Sequence, residues 1–227
     1  MQAWLDKLNE TFIVTNGYQQ LLEGLKNTFI ITLGALCIGV VIGTVIAVIK
    51  YFSDDVRALR PLAWVCDLYI TVIRGVPVVV LLMIFYYIIL VSANGVAVAI
   101  MTFGINSGAY MAELIRSGIN AVDKGQMEAA RSLGMSRLLS TRTIILPQAL
   151  RYILPAIGNE LIALLKETAV AGYVAVVDLT RAGNLIRNNT YDAVNPLMIV
   201  ALSYLGMVIF LTYVLKGFER RLNKDKH

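Results

Sequence analysis

The sequence predicts an all-α polytopic membrane protein, a helical bundle with five transmembrane helices. Apolar residues make up 58% of the 227 residues, the mean hydropathy is +0.70, and only 15% of residues are charged, whereas a soluble domain carries about 25%. Several apolar runs reach the roughly 20 residues that an α-helix needs to cross the hydrocarbon core. One membrane domain therefore accounts for most of the chain.

The predicted spans are separated by polar or charged segments. They cover residues 28–50, 62–91, 95–118, 150–176 and 195–216. The second span contains Arg74, Gly75 and Pro77, which predict a kinked or tilted helix. The fourth span has Pro155 close to its entry and also carries several charges.

The distribution of lysine and arginine predicts the orientation, because basic residues concentrate on the cytoplasmic side of a membrane protein. Fourteen of the 20 basic residues follow the first span, lie in the long loop between the third and fourth spans, or belong to the tail. The opposite side has four: Lys7, Lys26, Arg181 and Arg187. We expect the amino terminus outside and the carboxyl terminus in the cytoplasm, as an odd number of spans requires.

The amino-terminal residues predict an amphipathic helix in the membrane interface, with a flexible lead-in as the alternative. Its apolar residues at helical spacing are Trp4, Leu5, Leu8 and Phe12. Polar residues throughout this start predict no cleaved signal peptide. The expected organisation is an interfacial segment at 1–27, a transmembrane domain at 28–216 with a cytoplasmic loop at about 119–149, and a basic tail at 217–227.

The chain has few cysteine and histidine residues, the types that often act in catalysis or bind metals. Its two cysteines, Cys37 and Cys66, lie in apolar segments, and its one histidine is His227. The sequence has no Ser/His/Asp or Cys/His set and no Walker-type glycine-rich loop. We expect no catalytic residue, no metal site, no cofactor held by this chain and no nucleic-acid partner.

The cytoplasmic loop contains a polar, helix-forming stretch, GQMEAARSLGMSRLLSTRTIILPQALRYILP. Residues 127–133 predict a short helix, Gly134 can take the left-handed conformation that ends it, and Ser136 can cap a second helix. Pro147 is predicted to stop that second helix before the fourth span. A rigid helix-turn-helix is expected, although an ordinary surface loop would have the same general shape.

The sequence of this loop also resembles the signature of a known protein family. Glu128, Ala129 and Ala130, followed by Gly134 and then by Pro147, reproduce the EAA signature of ABC importer permeases. The segments RGVP, GAYMAELIRSGI and LPQALRYILPAIGNELIALLKETAV resemble the subfamily that imports polar amino acids, and the resemblance covers roughly residues 28–216. KETAV departs from the KDTS-like form of that subfamily, but glutamate for aspartate keeps the charge.

The resemblance implies a type I ABC importer permease fold in a bacterial-type cytoplasmic (inner) membrane. The EAA segment would be the coupling helix that docks on a cytoplasmic ATP-binding subunit. The implied coupling residues are Glu128, Ala129, Ala130, Arg131, Gly134 and Pro147. A second permease subunit, identical or related, and an extracellular or periplasmic substrate-binding protein complete the implied assembly. ATP and Mg would bind the partner ATPase, so this chain itself would not be an enzyme.

Polar residues inside the predicted spans are costly unless they are paired or line a wet cavity. The candidates for a substrate pathway are Arg74, Asn106, Asn159, Glu160, Lys166 and Glu167. Glu160 and Glu167 lie seven residues apart on one helix face, where they could meet a cationic group. A basic amino acid is therefore the expected substrate, with glutamine or another polar amino acid as the alternative.

Two of the glutamates also have a structural interpretation. Glu160 could form a buried ion pair with Arg74 that only organises the bundle. Glu113 is expected to pack against Arg74 or Arg116, with substrate contact as the alternative. Lys166 is a further candidate for a substrate carboxylate.

The predicted function is that of a membrane permease subunit of an ABC importer for a polar or basic amino acid. The main alternative is an ion-coupled secondary amino acid transporter, which would need ion-binding carboxylates and often has an inverted repeat that this sequence lacks. A channel or structural scaffold is a second alternative, but it would have no use for an EAA loop.

Overall fold

The computed structural model describes residues 7–53 and 55–224, with side chains up to residue 221. All regular secondary structure in these ranges is helical, as the apolar composition predicts. The α-helices, numbered along the chain, are α1 Gly17–Ser53, α2 Arg60–Gly75, α3 Val78–Ile84, α4 Gly95–Asn120, α5 Lys124–Ser132, α6 Arg137–Ser140, α7 Leu146–Glu167, α8 Leu179–Thr190 and α9 Val194–Lys224. Shorter π and 3-10 segments are Glu10–Val14, Arg57–Leu59, Phe85–Ile89, Thr141–Ile145 and Thr168–Val174.

Three of the described helices are long and apolar enough to cross a membrane. They are α1, α4 and the part of α9 at Val194–Arg221. The segments Arg57–Gly75 and Val78–Ile89 together make a fourth only if they count as one span. In the region of the predicted fourth span, α7 is followed by a 3-10 segment. A polytopic helical bundle is confirmed, and the number five stays a prediction.

The second predicted span breaks where its sequence indicates, but more sharply than predicted. The two segments bend by 104° at the break, so the single kinked or tilted helix is replaced by two helices. Pro77 has a φ of −57° and a ψ of 135°, outside the helical region, and its carbonyl accepts the first hydrogen bonds of α3 from Val80 and Leu81. The chain leaves the helical conformation completely at this point and then starts a new helix.

The chain forms two compact units. The first unit contains the described parts of residues 1–37, 76–104 and 162–211, and the second contains those of residues 38–75, 105–161 and 212–227. The buried core of the first unit includes Ile31, Leu82, Phe103 and Leu164.

Asp192 fixes the amino-terminal segment within the first unit. One oxygen of its carboxylate accepts hydrogen bonds from the backbone amides of Val194 and Asn195 and so caps α9. The other accepts from the Asn195 amide at 2.7 Å and from Thr11 Oγ1 at 3.2 Å. All three of these side chains, Thr11, Asp192 and Asn195, are buried.

The predicted interfacial helix is only partly within the described chain. Trp4 and Leu5 lie outside the described residues, Leu8 is half-buried and Phe12 is buried. Residues 7–9 and the π segment Glu10–Val14 are helical, and α1 begins at Gly17. A location in the membrane interface stays a prediction.

In the second unit, small residues bring α1 and α4 close together. A Cβ at Gly39 would lie 2.8 Å from Ser107 Oγ, and one at Gly43 would lie 2.4 Å from the Met111 Cβ. Any larger side chain at these positions would clash, so the two glycines, four residues apart in the sequence, allow the helices to approach closely.

Candidate functional site

The loop after α4 begins with a capped helix. Asp123 is the N-cap of α5, and its Oδ1 accepts a hydrogen bond from the Gly125 amide at 2.7 Å. The predicted helix at 127–133 is thereby confirmed, with a start three residues earlier because Asp123 supplies the cap. Glu128 and Ala129 are exposed on this helix, whereas Ala130 is buried.

Gly134 ends α5 in the predicted left-handed conformation, with a φ of +81°. Its amide donates to the Arg131 carbonyl, and the Met135 amide donates to the Ala130 carbonyl, the hydrogen-bond pair of a Schellman motif. Arg131 also closes the turn, because its guanidinium donates to the Met135 carbonyl at 2.7 Å. The sequence predicts only a partner contact for Arg131, and that contact stays a prediction.

The second helix of the loop starts as predicted but does not end at Pro147. Ser136 Oγ accepts from the Leu139 amide at 3.3 Å and caps α6. Helical structure then continues from Arg137 through the π segment Thr141–Ile145 into α7. The prediction that Pro147 stops this helix is wrong.

The π segment explains how the helix accommodates Pro147. Proline lacks the amide that would bond to the Thr143 carbonyl in an α-helix. Immediately before it, the wider hydrogen-bond pattern, in which the Leu146 amide donates to the Thr141 carbonyl, changes the path of the backbone. The Gln148 side chain adds a hydrogen bond to the Ile144 carbonyl at 2.9 Å.

Residues 124–146, called the bracket below, have one anchored side and one open side. Met127, Ile144 and Ile145 pack in a cluster that includes Ala47 and Ile115. The large apolar side chains that the bracket leaves exposed are Leu133, Leu138, Leu139 and Leu146, and Leu133 is 83% exposed. A surface of this kind, with Glu128 and Ala129 beside it, is suited to a protein partner.

A polar cavity of about 340 Å³ lies elsewhere in the second unit. Its lining residues are Arg74, Tyr110, Glu113, Leu114, Arg116, Ser117 and Glu160. The Arg74 guanidinium lies 5.0 Å from the centre of the Tyr110 ring, within the range of a cation–π interaction. Glu160 Oε1 accepts a hydrogen bond from Ser107 Oγ at 2.9 Å.

The two glutamates of the cavity have different surroundings. Glu113 forms two hydrogen bonds with Arg116, at 2.8 and 3.3 Å, and lies 3.6 Å from Lys50 Nζ, which confirms the predicted pairing with Arg116. Within the described chain, Glu160 has no cation within ion-pair distance, and the alternative pairing with Arg74 is not formed. One carboxylate of the cavity is therefore neutralised and the other is not.

Of the predicted pathway residues, this cavity brings together Arg74 and Glu160. Asn106 is buried in α4, Asn159 and Lys166 are exposed, and Glu167 is half-buried. None of these four lines the cavity.

The prediction missed Ser107 and Tyr110, which contact Glu160 and Arg74 respectively. Ser107, Tyr110 and Ser117 lie on one face of α4 at helical spacing. That polar spacing was the available signal.

Comparison with known proteins gives consistent results. Residues 39–224 match a family described as "Binding-protein-dependent transport system inner membrane component". The arginine transport system permease protein ArtQ of Bacillus subtilis is 37% identical over 209 residues, which are 90% of this chain and 93% of the relative. The glutamine transport system permease protein GlnP of Escherichia coli is 35% identical over 211 residues, covering 89% of this chain and 92% of the relative.

Solved structures share the fold. A crystal structure of an amino acid ABC transporter with histidines is 39% identical, with a TM-score of 0.83 over 92% of this chain and 98% of that chain. An inward-facing MetNI methionine ABC transporter aligns with a TM-score of 0.78 over 90% of this chain and 97% of that chain. At 22% identity the second match shows the fold alone.

Proposed function

Since this chain belongs to the family of binding-protein-dependent transport inner membrane components, as a permease of an amino acid ABC transporter, we propose that its polar cavity receives a basic amino acid during import. The observation that carries this proposal is the uncompensated carboxylate of Glu160. In the same cavity Glu113 already has Arg116 and Lys50 as partners. A side-chain ammonium or guanidinium group of the substrate would give Glu160 the cation that it lacks.

The other lining groups suit the rest of an amino acid. Arg74 is held against the Tyr110 ring and has no carboxylate within ion-pair distance in the described chain, so it is available for a substrate carboxylate. A basic amino acid could then place its carboxylate against Arg74 and its cationic side chain against Glu160. The arginine-named relative agrees with this choice.

Glutamine is the second candidate, because several relatives are named as glutamine permeases. The amide side chain of glutamine would hydrogen-bond to Glu160 without neutralising it, so only the α-ammonium of glutamine could do so. The remaining predicted pathway residues, Asn106, Asn159, Lys166 and Glu167, would act along the route rather than in this cavity.

The bracket is proposed to receive the motion that drives transport. Its exposed surface would dock on a cytoplasmic ATP-binding subunit, which holds ATP and Mg, while this chain catalyses no reaction. Because α7 continues from the bracket, movement would reach Glu160 along 14 residues of helix, or about 21 Å. A floppy connection would lose that movement, whereas a helix transmits it.

The proposed assembly contains two permease subunits, identical or related, and a substrate-binding protein on the outer side. The family is an inner membrane component, and the excess of basic residues supports an outer amino terminus and a cytoplasmic carboxyl terminus. Family membership does not favour an ion-coupled secondary transporter, for which amino acid uptake without ATP would be the evidence.

Glu160→Gln tests the proposed substrate contact in the reconstituted complex. Uptake of arginine should fall by about tenfold or more, the usual ratio for a lost hydrogen bond to a charged group, while uptake of glutamine stays nearly unchanged. Glu113→Gln is the matched control in the same cavity and should not discriminate between the two substrates. An equal loss for arginine and glutamine in Glu160→Gln would remove the case for charge recognition.

A further inference from the structure

One arginine of the bracket contacts the end of the first long helix. The Arg137 guanidinium donates to the Tyr51 carbonyl at 3.1 Å, forms an ion pair with Asp55, and lies 4.8 Å from the centre of the Tyr51 ring. The Tyr51 hydroxyl is 3.1 Å from Thr141 Oγ1 in the bracket. These four residues are called the Arg137 joint.

The position of Tyr51 makes the contact favourable. Its carbonyl lies in the last turn of α1, where carbonyl groups have no partner within the helix and the helix dipole favours a cation. Arginine can donate to a carbonyl and a carboxylate while its plane stacks on a ring, which lysine cannot do. Burial alone would lower the pKa of Arg137, but hydrogen bonds to Tyr51 and Asp55 outweigh burial and raise that pKa.

The Arg137 joint links α1 to the bracket at a place where the two do not pack tightly. A cavity of about 420 Å³ adjoins it, and its lining includes Tyr51 of α1 and Lys124, Met127 and Arg137 of the bracket. The bracket makes its apolar contact with α1 at Ala47, about one helical turn before Tyr51. The end of α1 is therefore attached to the bracket through Arg137 and Thr141 rather than through a filled apolar interface.

We propose that Arg137 is a positioning residue that transmits movement of the bracket to α1, in addition to the direct path into α7. The inference rests on the proposed function of the bracket. Two helices would then respond to one docking event. Because Arg137 is the first residue of α6 and follows the Gly134 turn, its position would follow any rotation of the bracket.

The test uses the reconstituted complex with both permease subunits, the ATPase subunits and the loaded binding protein. Arg137→Lys keeps the positive charge but removes the planar guanidinium group. Arg142→Lys is the matched control, because Arg142 is exposed and lies about one helical turn later in the chain. We expect Arg137→Lys to retain assembly and basal ATPase activity. The number of amino acids imported per ATP should fall roughly fivefold or more, as a coupling energy of this kind allows.

Tyr51→Phe isolates one contact of the joint. It removes the hydroxyl near Thr141 but keeps the ring and the carbonyl, so uptake per ATP should fall about twofold, as the loss of one neutral hydrogen bond allows. Arg142→Lys should have no effect on this ratio. If Arg137→Lys does not assemble, Tyr51→Phe and Asp55→Asn are measured in the same way.

Unchanged uptake per ATP in Arg137→Lys, or in both Tyr51→Phe and Asp55→Asn, would overturn the inference. A fall in uptake that is matched by an equal fall in ATPase activity would also overturn it, because that result indicates loss of folding or docking. The wild-type complex distinguishes failure of this inference from failure of the proposed function. Absence of ATP-dependent amino acid uptake in the wild type would contradict the proposed function itself.

Discussion

The two compact units use their charged residues differently. The second unit contains four ion pairs, in which Lys50, Arg116 and Arg137 pair with carboxylates. In the first unit, the buried carboxylates of Asp178 and Asp192 accept hydrogen bonds from backbone amides at the starts of α8 and α9.

This difference has a mechanical consequence. Partly exposed ion pairs contribute little to stability, whereas a buried cap holds a helix end in one place. Burial raises the pKa of Asp178, but the amides of Thr180 and Arg181 partly offset that effect. We therefore expect the second unit, with the bracket and the polar cavity, to rearrange more readily than the first.

Gly134→Pro, in the second unit, should have the largest effect. An ordinary side chain costs roughly 1–2 kcal/mol in the left-handed conformation, and proline cannot adopt it. The substitution also removes the amide that donates to the Arg131 carbonyl. We expect the protein to insert in the membrane while uptake falls at least about tenfold and ATPase stimulation by the loaded binding protein is lost.

Gly134→Asn is the control for that substitution, because asparagine tolerates the left-handed conformation. It should support nearly normal uptake. Unchanged ATPase stimulation in Gly134→Pro would mean that the bracket does not need its turn, and the second unit would lose its distinctive role.

Asp192→Ala should destabilise the first unit. It removes the cap of α9, takes one acceptor from the Asn195 side chain and removes the acceptor of the buried Thr11 hydroxyl. Loss of a cap costs about 1 kcal/mol, and loss of a buried hydrogen bond adds a similar amount. Thermal unfolding of the purified complex should therefore occur at a clearly lower temperature, while Asp192→Asn, which retains an acceptor oxygen, should show a smaller shift.

Lys50→Gln should have the smallest effect. It removes ion pairs with Asp67 and Glu113, but Asp67 is mostly in contact with solvent and Glu113 keeps Arg116. The expected cost is about 1 kcal/mol or less, measured by the same thermal unfolding experiment. A shift as large as that of Asp192→Ala would show that ion pairs fix the second unit as firmly as caps fix the first.

The parts of the fold that sequence predicts well are those settled within a few residues. The turn at Gly134 and the cap at Ser136 depend on local backbone geometry, and both are confirmed. The continuation of the helix through Pro147 could not be predicted from local rules, because it depends on the π segment that precedes this proline. The break before Pro77 is predicted in position, but its angle depends on where the next helix packs.

The candidate site is harder to predict because its contacts join different helices. The sequence correctly selects Arg74 and Glu160 as polar residues at costly positions, yet Tyr110 and Ser107, both from α4, are their contacts. Which side chain meets another depends on helix rotation and on the close approach at Gly39 and Gly43. A single sequence does not specify that rotation.

The most direct measurement is photo-cross-linking from Leu133, the most exposed apolar residue of the bracket. A photoreactive amino acid at Leu133 in the assembled transporter should give a covalent product with the ATP-binding subunit. The same group at the exposed Leu202 of α9 should give none with that subunit. Reaction of the Leu133 probe only with lipid or water would contradict the docking of the bracket on an ATPase.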